Sequence, residues 1–358
     1  MANPIDHIEI TNFKSIPHLN IEGCKRINVF IGYPNVGKSN ILEAIGLYST
    51  LLLGNEAQFS FDDICRADEP LDIFHNNDSK KGSKIVLNCE AELNITHVAP
   101  LRLNLNYNNV KYAEENKAKQ KFDKLEELTV VFPDKPDAFT GSKIAITPKY
   151  ETNSTKVFPW KIKKYEFKKN YVGNGWRGAF PLGMPNGHNL IDVLRHEVDL
   201  TKEINEIFIE YGLKILFDIN RDKIFLLKEL ANGAAMTIPY NLIADTLQRL
   251  IFHMAAIRSN SNAVLLFEEP EAHMFPPYIG KFTGEIIYKK DNGNQYFIST
   301  HSPFVMNDFL EDARDELSVY LVGYKNGETT IKRLSDEELH RVYQYGVDLF
   351  FNIESYLD

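Results

Sequence analysis

The run Gly32-Tyr33-Pro34-Asn35-Val36-Gly37-Lys38-Ser39 matches all four fixed positions of a phosphate-binding loop, and nothing else in the chain restricts its fold so tightly. Residues 26–31 before it (Arg-Ile-Asn-Val-Phe-Ile) read as a buried strand, and residues 40–45 after it open an amphipathic helix. A strand–loop–helix context is what separates such a loop from a chance glycine-rich turn. Gly32 and Gly37 let successive backbone N–H groups face a phosphate, and the start of the next helix adds partial positive charge. Lys38 is placed to reach the β- and γ-phosphates, and the Ser39 hydroxyl to hold Mg²⁺. The chain is therefore expected to bind a nucleoside triphosphate.

A length of 358 residues predicts two or three structural units, or one domain with an insertion, and a hydrophobic content of 44% is enough for a large core. Cys24, Cys65 and Cys89 form no C-x-x-C pair, which fits free thiols in a reducing, cytoplasmic setting. The first residues lack the basic and apolar regions of a signal peptide, and no apolar run is long enough for a membrane span. A net charge of −9 argues against a surface that coats nucleic acid throughout, while leaving room for a local basic patch.

Strands are expected at 5–11, 18–22, 26–31, 84–93 and 101–107, with a helix from 37 to 53. Residues 108–172 turn Lys-rich and irregular, and predict an insertion of short strands around one charged helix at 113–128. Residues 173–187 read as a loop or hinge, and 189–211 carry apolar residues at helical spacing. Strands at 214–219, 223–229, 236–239, 263–267 and 295–299, with helices at 241–258 and after Pro277, complete an α/β pattern. Strands at 317–322 and 329–333 and a helix at 336–345 follow. The implied divisions are 1–107, 108–172, 173–262 and 263–358.

The apolar strand at 263–267 ends in Glu268-Glu269, followed by Pro270-Glu271. Hydrolysis assisted by a metal needs one carboxylate near Mg²⁺ and a second that orients or deprotonates water. Adjacent carboxylates at the carboxyl end of a buried strand deliver both to one sheet edge, whereas alone they read equally well as a surface turn. One strand later, Thr300-His301-Ser302-Pro303 either sets an imidazole beside the γ-phosphate or is a self-satisfied turn. Its position directly after the carboxylate strand favours the first reading.

Taken together, Asn12-Phe13-Lys14-Ser15, the loop at 32–40, LLFEEPEAH at 265–273 and STHSP at 299–303 resemble the ABC-class ATPase heads of the SMC/RecF/OLD superfamily, most of all the compact bacterial "AAA family ATPase" proteins that accompany antiphage and DNA-repair modules. The resemblance spans nearly the whole chain. It implies an α/β P-loop NTPase of ABC-ATPase head type, with a mixed central sheet, flanking helices and an inserted β-rich, charged segment. Asn35, Val36, Gly37, Lys38, Ser39 and Asn40 would then belong to the nucleotide loop, with Asn12, Phe13 and Lys14 near base and ribose. Glu268 would be the metal-side carboxylate with Ser39, Glu269 the catalytic base and His301 the switch histidine; ATP and Mg²⁺ would be the cofactors. Such heads work as dimers or higher homo-oligomers.

The sequence also departs from that pattern. Glu268 stands where relatives usually have Asp. The Ser-x-Gly signature that opens a helix and caps the partner's γ-phosphate is replaced: Ala244 stands for the serine and Thr246 for the glycine, with Asp245 and Arg249 alongside. Phe275 replaces a common His, and Gln58, His75 and Asn76 are weak candidates for the glutamine loop. Slow hydrolysis is the expectation, with a nucleotide-binding scaffold or sensor as the rival reading; a small-molecule kinase is disfavoured by the Glu-Glu-Pro-Glu and Ser-Thr-His-Ser-Pro pair. Residues 156–177 interleave basic and aromatic side chains, which allows DNA contact, although the alternation at 160–163 fits better a pair of strands with a solvated basic face and aromatics in the core. About 55 residues follow His301, too few for an OLD-type nuclease domain, so a nuclease or toxin effector would be a separate polypeptide.

Replacing Lys38 by Ala deletes the cation that neutralises the phosphates. Equilibrium binding of a fluorescent ATP analogue should be lost in Lys38→Ala while its circular dichroism stays unchanged.

Overall fold

The computed structural model describes residues 4–52, 61–108, 113–114, 124–132, 145–151, 156–157, 161–169, 180–218 and 223–357. Its centre is a sheet of six strands in the order Lys161–Tyr165, Ala263–Glu268, Gln295–Ser299, Ile27–Ile31, Leu317–Lys325, Glu328–Arg333. All neighbours run parallel except the final hairpin pair. The middle strands are buried along their length except for Glu268 at the end of Ala263–Glu268, as expected of parallel strands covered on both faces.

The period of two in these strands divides the interior into two cores. Ile27, Val29, Ile31, Leu265, Phe267, Tyr296 and Ile298 face the helices Asp245–Ser259, Pro276–Tyr288 and Pro303–Asp312. Phe30, Val264, Leu266 and Phe297 face the other way, onto the helix Lys38–Gly46 and a second sheet. That sheet is antiparallel and seven-stranded, in the order Ile16–Ile21, Ile8–Phe13, Ser83–Leu87, Ala91–Ala99, Arg102–Asn108, Lys124–Val131, Ala145–Glu151. A three-stranded sheet, Leu213–Asp218, Lys223–Glu229 and Ala235–Pro239, completes the lobe beside the helices Leu190–His196 and Val198–Ile209.

Several sequence expectations are corrected. The single strand expected at 84–93 is two strands around a turn, where Asn88 and Cys89 take φ of 54° and 55°. Asn88 fixes that turn by accepting the N–H of Asp6 at 2.8 Å. Where the charged helix expected at 113–128 falls on described residues it is replaced by strand: Ala113–Glu114 is a short strand, and Lys124–Val131 pairs on both sides within the large sheet; residues 115–123 lie outside the described residues. Its charged residues suit a helix in isolation, but alternate burial of Leu128, Val130 and Phe132 against the second core overrides that preference. The expected insertion 108–172 ends early, because Lys161–Tyr165 is an edge strand of the central sheet with Ile162 fully buried. The helical run at 189–211 is two helices divided at Glu197, and the helix expected from 241 starts at Asp245 after a 3-10 turn. No described helix is long and apolar enough to cross a membrane.

His253, in the helix Asp245–Ser259, is buried among the rings of Phe252, Phe267 and Phe282, and neither ring nitrogen has a partner among the described residues. Burial, reinforced by the charge of Arg249, pushes its pKa down to about 3. The unfolded chain therefore binds a proton that the native state refuses, and stability falls as pH drops from about 6.5 toward about 3. His253→Phe should flatten that acid limb, so urea midpoints of variant and parent diverge more at pH 5 than at pH 8.

Candidate functional site

The strands Ile27–Ile31, Ala263–Glu268 and Gln295–Ser299 end at one edge of the central sheet, where parallel register sets Glu268 beside Ser299 and Ser299 beside Phe30. Here a cleft of about 450 Å³ is lined by residues from the phosphate loop together with Lys14, Glu43, Arg66, Glu268, Glu269, His301 and Tyr324.

The loop is held open by sterics. A Cβ on Gly32 would lie 2.2 Å from the carbonyl oxygen of Val322, and one on Gly37, at φ +105°, would lie 2.2 Å from Thr329 Oγ1. Asn35 adopts φ 61°, and Val36 is buried under the loop. A relay of side chains fixes its outer wall: Asn40 Nδ2 donates to Ser15 Oγ (2.7 Å), Ser15 Oγ bonds Thr329 Oγ1 (2.6 Å), and Thr329 Oγ1 donates to the carbonyl of Val36 (2.9 Å). Lys38 folds across the loop, with Nζ donating to the carbonyls of Gly32 (2.9 Å) and Tyr33 (2.8 Å). Burial pulls its pKa down to about 8, against the opposing pull of Glu269 and Glu268.

Glu268 accepts from the Ser39 hydroxyl and, at 2.9 Å, from Arg66 Nη2. A hydroxyl and a carboxylate oxygen brought together beside a phosphate loop form a hard oxygen donor set, which fits Mg²⁺ completed by phosphate oxygens and water. Glu269 takes the rare φ of 42°, and its carboxylate lies 3.4 Å from His301 Nε2. Burial, followed by the charge of Lys38, keeps the His301 pKa below its ordinary value, so the imidazole is neutral near pH 7. The cleft thus presents a cation, an oxygen pair for a metal, a half-exposed carboxylate and a neutral imidazole.

Not every expected residue enters the cleft. Asn12 and Phe13 stay out: Asn12 Nδ2 donates to the carbonyls of Asp78 (2.9 Å) and Gly82 (2.6 Å) at φ 53°, and Phe13 is fully buried. Lys14 lines the cleft but is tied to Glu43 and the Arg66 carbonyl. His75 bonds the Lys14 carbonyl at 2.9 Å, Asn76 bonds His75, and Gln58 lies outside the described residues. Ala244 stands at the N-cap position of the helix Asp245–Ser259 with no side-chain capping bond; Thr246 Oγ1 donates to the His273 carbonyl (2.6 Å) and Arg249 pairs with Asp245 (2.8 Å).

Of the basic segment 156–177, only parts are described. Lys164 is buried with Nζ on the Ile64 carbonyl (2.8 Å), Lys163 donates to Asn260 (2.7 Å), Lys168 pairs with Asp63, and Tyr165 is a core ring. Lys163 and Lys164 are engaged within the fold rather than on a solvated face, while Lys161 and Lys168 are exposed.

Two residues escaped sequence reasoning. Arg66 bridges Glu268 and the buried Glu43, to which its Nε donates at 2.7 Å, and Tyr324 sets a half-exposed ring at the cleft. A short polar stretch before Pro70 and a hairpin tyrosine carry no motif; only an acidic residue inside the helix after the loop, Glu43, hinted at a buried partner. Arg66→Ala should leave Glu268 without its cation, so the dependence of nucleotide affinity on Mg²⁺ concentration should shift measurably in titration calorimetry.

Residues 27–307 match the family model described as "AAA domain, putative AbiEii toxin, Type IV TA system". Among solved structures, an Smc head domain with an extended coiled coil, bound to the C-terminal domain of ScpA and derived from Pyrococcus furiosus, is 13% identical, covers 95% of this chain and 98% of its own, and has a TM-score of 0.50. An Smc head bound to the C-winged helix domain of ScpA (15% identity, 94% and 99% covered, TM-score 0.48) and an SMC head domain from Thermotoga maritima (14%, 92% and 99%, TM-score 0.40) are also similar. At such identities the likeness concerns the fold. A comparison with curated proteins gives no match.

Proposed function

The chain belongs to the family of AAA domains described as putative AbiEii toxins of type IV toxin–antitoxin systems, and on that premise we propose that it is a cytoplasmic, Mg²⁺-dependent ATPase of slow turnover. In this reading it acts as a nucleotide-gated homodimer or higher homo-oligomer that controls DNA binding or a separately encoded nuclease or toxin, in antiphage defence or DNA repair. The observation that carries it is the convergence of Lys38, the Ser39–Glu268 pair and the Glu269–His301 pair on one cleft.

Each group has a chemical task. Lys38 and the loop N–H groups neutralise the β- and γ-phosphates. Ser39 and Glu268 hold Mg²⁺, which when bound spreads the charge that develops on the phosphates. Glu269 accepts a proton from the attacking water, and neutral His301 orients that water or the γ-phosphate through Nε2. Leu242 and Phe275 expose 69% and 64% of their surface near the start of the helix Asp245–Ser259, offering apolar area to a second head.

A second reading, a nucleotide sensor with little turnover, draws on the altered signature. Ala244 has no hydroxyl to offer a partner's phosphate, and that of Thr246 is committed to His273. Phosphate release and light scattering with and without ATP separate the two. Glu269→Gln should retain ATP binding, lose turnover by on the order of 10²–10⁴-fold, and accumulate the ATP-bound oligomer. A parent protein without any Mg²⁺-dependent phosphate release would leave the sensor.

A further inference from the structure

A carboxylate that takes no part in the chemistry above is built into the turn that follows Glu269. Glu271 is buried, and its Oε1 accepts two bonds from the next strand end: Thr300 Oγ1 at 2.6 Å and the backbone N–H of His301 at 3.1 Å. Thr300 Oγ1 in turn accepts the N–H of Ser302 at 3.0 Å, so one carboxylate oxygen organises the whole loop from 300 to 302. The turn is itself constrained. Glu269 N donates to the Ser299 carbonyl (2.9 Å), Ala272 N to Glu269 (3.0 Å) and Met274 N to Glu271 (2.8 Å), with φ positive at Glu269 and His273.

Burying a carboxylate is unfavourable unless its acceptors are used. Here one oxygen is doubly used, while Oε2 has no partner among the described residues. A polar residue kept at such expense in a loop of this kind serves placement rather than stability. Its two ends meet the two groups whose separation matters, since Glu269 lies two residues before it and His301 is the residue whose N–H it holds. On the far side of the turn, the His273 carbonyl receives Thr246 from the signature helix.

We propose that Glu271 is a positioning residue for hydrolysis: it locks the His301 backbone so that the imidazole stays against Glu269, and it joins that pair to the helix start that a second head would meet. This rests on the reading of Glu269 and His301 given above. The acceptor oxygen is what matters, since both bonds it receives come from neutral donors.

The test compares Glu271→Ala, Glu271→Gln and His301→Ala with the parent protein. Glu271→Ala should lower kcat by on the order of 10–100-fold without a matching change in KM for ATP. Glu271→Gln should recover most of that loss, because the amide oxygen accepts the same two bonds. In the His301→Ala background, Glu271→Ala should add nothing further. NMR of histidine-labelled protein should show the His301 ring signals, identified by their loss in His301→Ala, displaced in Glu271→Ala and near parental in Glu271→Gln. Should Glu271→Ala fail to fold, Thr300→Val removes one of the two donors and is expected to move the same readouts in the same direction. Additive losses, a Gln variant as impaired as Ala, or unmoved His301 signals would overturn the proposal. If the parent protein releases no phosphate, hydrolysis fails as a reading while the NMR comparison still decides the role of Glu271.

Discussion

Parallel pairing among Ile27–Ile31, Gln295–Ser299 and Ala263–Glu268 is the constraint on which the site depends. Three strands far apart in sequence end at one height only because their backbones share a register. A slip of one residue would turn Glu268 from the cleft into a core and expose Phe267 in its place. The apolar side chains on both faces make that slip prohibitive, since each strand feeds alternate residues into two separate cores. The chemistry at the edge is held in place by the hydrophobic pattern below it.

Electrostatics above the sheet follow a second hub. Glu43 is buried inside the helix that follows the loop, and burial alone would raise its pKa; Lys14, then Lys164, with bonds from Lys14 and Arg66, hold it below the ordinary value instead. That carboxylate anchors Lys14 and Arg66, and Arg66 then reaches Glu268. A buried charge of this kind is tolerated because several cations share it. Its effect is to draw a segment near residue 66 to the rim of the nucleotide cleft.

The loop at 32–39, the carboxylate strand and the strand before His301 were legible because each couples an apolar run to a motif with its own chemistry. Their bounds agree closely with the observed strands, and Gln295–Ser299 coincides with its expected range. Arg66 was not legible, because its partners are 23 and 202 residues away and no local pattern announces them. Residues 124–128 read as helix from the sequence because the evidence for the strand Lys124–Val131, pairing on both sides, is entirely non-local. Lys163 and Lys164 show the opposite limit: the sequence reads them on a solvated basic face, and only tertiary structure reveals that both are bonded within the fold.

The start of the helix Asp245–Ser259 belongs to the same network. Thr246, in its first turn, spends its hydroxyl within the chain on the His273 carbonyl. That bond ties the helix start to the turn carrying Glu269 and Glu271, and through Glu271 to His301. A chain of bonded groups thus runs from Thr246 through the 269–274 turn to the His301 N–H, and each link belongs to a short turn or to a strand end fixed by the central sheet.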